Sequence, residues 1–379
     1  MTRSFTVLHI VGARPNFMKV APVLRALDGR RGFASVLVHT GQHYDERMSE
    51  AFFRDLGIRA PDANLGVGSG PHGRQTAAVM SALEPLLVAA PPDLVLVAGD
   101  VNSTLAGALT AAKLGIPVAH LEAGLRSGDR TMPEEINRLL TDQLSDLCLT
   151  PSPDGDEHLL REGIAAERIH FVGNVMIDSL LWHLPRARDL AVPEGLGLER
   201  GRYAVVTLHR PSNVDQQDVL ADIVGALEAI AERIPVIFPV HPRTAARMAE
   251  FGIRLSRVRT IEPVGYLQML GLLEGAGAVL TDSGGIQEET TVLGVPCLTL
   301  RDTTERPITI QRGTNRLVPE RTRGAIVAAF DDAWGFPTEG RRPALWDGGA
   351  ADRVADVIEA WRDGGPSPWP GATARVGGG

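Results

Sequence analysis

Short apolar runs that close on a glycine or a polar residue, each followed by helical spacing, recur along this chain, and that alternation limits the fold more than any single motif. The run at 5–11 ends in Gly12-Ala13-Arg14-Pro15 and leads into helical spacing over 16–27. A second run at 36–40 is followed by Gly41-Gln42-His43-Tyr44-Asp45 and a helical 46–56. After an irregular 57–71, the pattern predicts a helix over 73–89, a buried strand over 93–98 ending in Gly99-Asp100, and an Ala-rich helix over 103–114. A strand at 117–121, a charged loop, a helix over 134–145 and short strands at 147–150 and 169–172 complete the series. Alternation this regular argues against an antiparallel fold and predicts a doubly wound parallel domain.

Periodicity weakens over 186–202, which is the expected linker, and a second series then begins. Its strands are expected at 203–208, 235–240, 258–261, 278–281 and 297–300, with helices at 218–233, 266–275 and 286–293 and a last one at 352–363. The chain is therefore divided into domains 1–185 and 186–379, as suits 379 residues, too many for one ordinary core. The fold class is α/β, with two domains in tandem and a cleft between them. In both halves the polar motifs fall at carboxyl ends of strands, where open α/β sheets place ligands.

Composition narrows the function. A net charge of −8 argues against nucleic acid as a partner, though it leaves room for a local phosphate pocket. Cys148 and Cys297 each lie in an apolar run, far apart and without metal spacing, so both are expected to be reduced core residues. No apolar stretch approaches the roughly 20 residues of a membrane span. Nor does the N-terminus carry a signal-peptide pattern, and a cytoplasmic protein is expected.

Candidate chemistry gathers in 120–142, HLEAGLRSGDRTMPEEINRLLTD, where glycines 124 and 128 and Pro133 make the first half a loop. Glu122 follows a buried strand directly, and Glu134 follows Pro133 at a helix start, where Pro and Glu are also structurally favoured. Asp100 ends another strand and leads into Asn102-Ser103-Thr104, so it either caps a helix or faces the cleft. Three carboxylates converging from neighbouring strand ends would raise one another's pKa and could exchange protons near neutrality. In the second half, Asp282-Ser283-Gly284-Gly285 before a helix is an anion-site pattern, although a plain turn also explains the glycines. It matches neither the dinucleotide fingerprint nor the P-loop. Arg14 and Arg306 could add positive charge for a diphosphate, and His209 ends the first strand of the second half.

Six motifs occur in order: Gly12-Ala13-Arg14-Pro15-Asn16-Phe17-Met18-Lys19, Thr40-Gly41-Gln42-His43, His120 through Gly128, Met132-Pro133-Glu134-Glu135-Ile136-Asn137-Arg138, Ser283 through Glu289, and Arg301 through Pro307. Together they closely resemble the non-hydrolysing UDP-N-acetylglucosamine 2-epimerases, across nearly the whole chain. The resemblance implies a GT-B-like fold: two Rossmann-like domains, an active site in the cleft between them, and a last helix returning to the first domain. It implies interconversion of UDP-GlcNAc and UDP-ManNAc without NAD or any other cofactor, and without a metal, by anti elimination of UDP to 2-acetamidoglucal and re-addition. By motif, Asp100, Glu122 and Glu134 would be the acid–base carboxylates, with His209 on the leaving-phosphate side. Arg14, Lys19, Ser283, Gly284, Gly285, Glu289 and Arg306 would contact the nucleotide, with uracil near 264–269 and so beside Met269. Gln42, His43 and Arg74 fall at a second site through which UDP-GlcNAc activates some bacterial members. The implied partner is a UDP-N-acetylhexosamine, and the implied assembly a homodimer.

The sequence also departs from the family's commonest pattern. Asn16 stands where many relatives have Glu, and Pro211-Ser212-Asn213 replaces Arg-Glu-Asn after His209-Arg210. Asp45 stands where allosterically activated members carry glutamine. Three rivals remain: a GT-B glycosyltransferase using a UDP-sugar donor, a hydrolysing 2-epimerase releasing ManNAc, and a non-catalytic UDP-sugar binder. The first and third give no use to three carboxylates in the first domain.

Overall fold

The computed structural model describes residues 3–41, 57–336, 338, 340–365, 367–369 and 371, apart from the side chain of Arg14. The expected helix at 46–56 lies outside them, as do Gln42 and His43. Two compact units are present, Met1–Ser179 with Ala344–Gly379, and Leu180–Pro343.

Unit 1 is built on β1 (Phe5–Val11), β2 (Phe33–His39), β3 (Ala63–Asn64), β4 (Leu94–Ala98), β5 (Val118–Leu121), β6 (Leu147–Thr150) and β7 (Ile169–Phe171). They form one sheet in the order β3-β2-β1-β4-β5-β6-β7, every pair parallel. Chain progression reverses beside β1, so the switch point lies between β1 and β4, and the crevice there opens at their carboxyl ends. Leu8, Ile10, Val95, Val97 and Val118 pack against Leu83 and Leu87 of helix His72–Ala89 and Ala108 and Ala111 of helix Asn102–Lys113. Both faces of β4 are covered, which is why Leu94–Ala98 is apolar at every position rather than alternating.

The C-terminal helix Ala350–Arg362 belongs to unit 1. The Asp178 carboxylate caps it by accepting the N–H groups of Ala350 (3.2 Å) and Ala351 (2.7 Å). Arg30 reaches Asp356 at 2.5 Å and Glu359 at 2.8 Å. Just before this helix, Trp346 is fully buried and its indole N–H donates to Pro151 O at 2.8 Å.

Unit 2 repeats the topology with β8 (Ala204–Thr207), β9 (Val236–Pro239), β10 (Arg259–Ile261), β11 (Ala278–Thr281), β12 (Cys297–Thr299) and β13 (Asn315–Leu317). The order is β10-β9-β8-β11-β12-β13, again parallel throughout. Val206, Phe238 and Leu280 pack against Ile223 and Leu227 of helix Gln217–Ala231 and Ile326 and Phe330 of helix Arg323–Ala333. The switch point falls between β8 and β11.

Where the sequence shows a linker at 186–202, helix Val175–Asp189 runs on past Arg186, and Leu196 and Leu198 pack with Tyr203 and Val205. The compact units divide between Ser179 and Leu180 rather than at 185. Helix Gly284–Leu293 starts two residues before the expected 286, because glycines that resemble a turn form its first turn. Among the described residues no helix is long and apolar enough to cross a membrane.

The returning segment is expected to be held mainly by Trp346. Replacing Trp346 by Ala should destabilise the protein by about 3–5 kcal/mol, whereas Arg30→Ala, which removes partly exposed ion pairs, should cost about 1 kcal/mol. Urea unfolding of both variants checks this; equal effects would assign the anchoring to the ion pairs.

Candidate active site

In unit 1 the candidate carboxylates stand at adjacent strand ends. Asp100 lies two residues beyond β4 and Glu122 one residue beyond β5. Glu122 is buried and its backbone adopts φ +73, a left-handed conformation that costs a non-glycine residue about 1–2 kcal/mol. The turn is held by the N–H groups of Glu122 and Ala123, which both donate to Leu149 O at 3.0 and 3.1 Å. Its carboxylate forms an ion pair with the Lys19 ammonium, and both side chains are buried. Lys19 lies on helix Arg14–Asp28, which begins with Asn16 accepting the Ala13 N–H at 3.0 Å and donating to Ala98 O.

Asp100 is bound by Arg138, whose Nη2 and Nε donate to Oδ2 at 2.6 and 3.1 Å. The other arm of Arg138 donates to Glu135 at 2.7 Å, and Glu135 also accepts the N–H groups of Ser127 and Gly128, each at 2.9 Å. Burial works to raise the Glu135 pKa, but those two N–H groups and the guanidinium outweigh it and hold the carboxyl below its ordinary range. Asn137, one residue before Arg138, donates to Asp100 O at 2.8 Å. Helix Pro133–Leu144 therefore fixes both the Asp100 side chain and the loop ahead of the helix. Glu134 is half-buried in its first turn and has no ion-pair partner among the described residues. Deeper, His120 places Nε2 against Gly99 O (2.8 Å) and Nδ1 against Asp142 (2.6 Å). Asp142 also meets Arg126 at 2.7 Å. Burial works to raise the Asp142 carboxyl pKa, but His120 and Arg126 outweigh it and keep it low.

Two of the three carboxylates thus carry a cation, where crowding of the acids alone was the sequence expectation. Glu135, Asn137 and Arg138 stood in the sequence without assigned roles. The available signal was their spacing, which puts Glu135 and Arg138 three apart on one helix face. Lys19, expected on the nucleotide, lies with Glu122 in unit 1. Arg74 is exposed on helix His72–Ala89, beside the buried Gln75. Arg14 starts its helix, with its side chain outside the described residues, like Gln42 and His43.

In unit 2 the switch point is bridged by Asp282. Fully buried, its carboxylate accepts the N–H groups of His209 (3.0 Å) and Arg210 (2.9 Å), Asn213 Nδ2 (3.2 Å) and His209 Nδ1 (2.8 Å). Burial opposes ionisation, yet the imidazole and backbone donors hold the Asp282 pKa down. The His209 ring is half-exposed with Nδ1 tied down, which leaves Nε2 as its outward-facing nitrogen.

On β11's other flank, Ser283, Gly284 and Gly285 form the start of helix Gly284–Leu293, where first-turn N–H groups lack intrahelical acceptors. Arg306 lies over this turn, and a Cβ on Gly284 would sit 2.6 Å from its Nη1. Its Nε contacts Glu288 at 2.9 Å, and Glu305 is held bidentately by Arg301 at 2.9 and 2.8 Å. Helix N–H groups beside a guanidinium suit a phosphate. Glu289, further along the same helix, is buried and its pKa is lifted to about 8, first by burial and then by the charge of Glu288, with the Tyr266 hydroxyl opposing. Met269, partly buried on helix Tyr266–Gly275, packs with the apolar cluster that includes Leu272 and Ile286. Among the described residues no three His, Cys, Asp or Glu side chains gather as metal ligands.

Because Glu289 holds its proton to about pH 8 when folded and loses it near 4.5 when unfolded, the folded state binds the extra proton between those values. Stability from this group is therefore present at low pH and lost as pH rises through 8. Glu289→Gln, which mimics the protonated form, should come nearest the wild-type melting temperature at about pH 4, exceed it at pH 6 and exceed it further at pH 9. A wild-type advantage at pH 9 would mean that Glu289 is ionised when folded.

The family model described as UDP-N-acetylglucosamine 2-epimerase matches residues 25–359. A UDP-N-acetylglucosamine 2-epimerase of Methanococcus maripaludis is 44% identical over 318 residues, covering 81% of this chain and 86% of its own. A UDP-2,3-diacetamido-2,3-dideoxy-D-glucuronate 2-epimerase of Pseudomonas aeruginosa is 43% identical over 355 residues, covering 93% and 99%. The crystal structure of Methanocaldococcus jannaschii UDP-GlcNAc 2-epimerase in complex with UDP-GlcNAc and UDP superposes with a TM-score of 0.85 at 40% identity, over 93% of this chain and 99% of that one.

Proposed function

Because the chain belongs to the UDP-N-acetylglucosamine 2-epimerase family, we propose that it interconverts UDP-GlcNAc and UDP-ManNAc without hydrolysis, as a cytoplasmic homodimer needing no cofactor. The observation that carries this reading is Glu122 at the end of β5, strained at φ +73 and paired with Lys19, with Asp100 at the end of the neighbouring β4. Strain of this kind persists where surrounding structure enforces it, and it gathers at functional sites. In this reading unit 1 handles the sugar and unit 2 the nucleotide. A carboxylate among Asp100, Glu122 and Glu134 takes the C2 proton, the C1–O bond breaks, and UDP leaves with the bonding electrons. The resulting 2-acetamidoglucal takes UDP back at C1 and a proton at C2 on the opposite face. Ser283 to Gly285 and Arg306 would hold the departing diphosphate, with His209 presenting Nε2 to it and Glu289 facing the ribose. Ile136 and Leu140, exposed and four apart on one helix face, suit the proposed homodimer.

The Pseudomonas relative favours a second reading, C2 epimerisation of a UDP-diacetamido-glucuronate, because it aligns over more of this chain at nearly equal identity. Incubation in D2O with each UDP-sugar, followed by NMR, separates the two. Deuterium at C2 of UDP-GlcNAc with UDP-ManNAc appearing is the expected result. Exchange confined to the glucuronate would replace it, free ManNAc would mean hydrolysis, and no exchange with either sugar would sink the proposal.

Replacing Arg306 by Ala should weaken UDP binding by about 2–3 kcal/mol through loss of a charge-assisted contact. Calorimetric titration that finds unchanged UDP affinity would remove Arg306 from the diphosphate site.

A further inference from the structure

We infer that Lys19 is a positioning residue for Glu122, holding that carboxylate in place for the proton transfer at C2, rather than a contact to the nucleotide. This rests on the proposed epimerisation. Four observations carry it. Lys19 and Glu122 are both buried and paired, and Glu122 is the one anion that Lys19 meets among the described residues. The strand ends are shaped around the pair: Gly99, at φ +67, lies so close that a Cβ there would sit 2.8 Å from Lys19 Nζ and 3.4 Å from Glu122 Oε2. Asn16 Nδ2 would be 3.3 Å from that same Cβ, so a neutral amide borders the ammonium on its own helix. The backbone of Glu122 is in the left-handed region, a strained conformation that the surrounding structure holds, and its carboxylate ends on the ammonium.

The physical case is one of burial and charge. A buried carboxylate without a partner is costly, and removing one member of a buried pair typically costs about 3–5 kcal/mol because the other is stranded. The neighbouring anchors serve other groups as well: Arg138 binds Asp100 and Glu135, and His120 meets Gly99 O and Asp142. Lys19 is the cation that pairs directly with the Glu122 carboxylate.

The test uses Lys19→Met and Lys19→Arg in the full chain, each first shown to be folded by its melting temperature. Two quantities are read: C2 hydrogen exchange in D2O at saturating UDP-GlcNAc, and UDP affinity by calorimetry. Lys19→Met should lower exchange by about 100-fold while UDP affinity stays within about threefold, because the lost interaction acts on the chemical step. Lys19→Arg, which keeps the charge, should retain about tenfold more exchange than Lys19→Met. Gly99→Ala provides a second route, since its methyl would crowd the ammonium; exchange should fall while UDP affinity holds. A Lys19→Met protein that loses about tenfold or more in UDP affinity yet exchanges normally at saturation would return Lys19 to the nucleotide and overturn the inference. Equal losses in Lys19→Met and Lys19→Arg would overturn it too. Wild-type protein that shows no exchange is instead a failure of the proposed epimerisation.

Discussion

A parallel strand covered on both faces has little room along its length for a charged side chain without a partner. β4 shows the consequence most simply: Leu94–Ala98 is apolar and buried throughout, and its first charged residue is Asp100, beyond the strand. A polar residue inside a strand is either partnered or held neutral. His120 in β5 meets Asp142 and a backbone carbonyl, whereas His9 in β1 is driven by burial, and then by the charge of Arg59, to a pKa of about 3 and sits there as a neutral ring. Chemistry is consequently pushed to the strand ends. Topology then selects among those ends, because a crevice opens only where the strand order reverses.

Both units use that opening, with opposite polarity. Unit 1 brings carboxylates to it and supplies each of two with its own cation, Lys19 for Glu122 and Arg138 for Asp100. Unit 2 turns its acid inward. Asp282 faces the protein rather than solvent, and its four donors knit the end of β8 to the end of β11, which aims His209 outward. Arg306 then lies beside the start of helix Gly284–Leu293, and Arg306 and Arg301 are balanced by the buried Glu288 and Glu305. One architecture thus yields cation-paired carboxylates at the strand ends of one unit and arginines near a helix N-terminus in the other.

Much of this was legible in the sequence, for physical reasons. Long apolar runs with punctuating glycines can only be buried parallel strands, so most strands fell within a residue or two of the expected bounds. Several elements escaped: β13 has three residues and helix Pro242–Glu250 buries little beyond Thr244 and Met248, but the longer helices Val175–Asp189 and Arg323–Ala333 were not expected either. Site residues carried by motif were locatable, but their partners were not. Glu135 and Arg138 look like an ordinary helix-surface pair, and nothing local reveals that Arg138 closes on Asp100, 38 residues earlier. Asp282 was legible as the head of a phosphate loop, yet its inward orientation depends on donors about 70 residues away. Side-chain pairing across strand ends is a tertiary fact, invisible to spacing.

Asn16 shows how one such pairing alters the meaning of a sequence departure. Its amide does two things at once: it accepts the Ala13 N–H at the start of the first helix and donates to Ala98 O at the end of β4. A glutamate at this position could accept but, when ionised, could not donate. It would also set a second carboxylate beside the ammonium of Lys19, three residues on along the same helix face. With asparagine there, the helix is tied to β4 without added charge, and Lys19 is left to Glu122 alone. The charge set beside Glu122 by the first helix thus comes from Lys19, with Asn16 adding a neutral tie to β4.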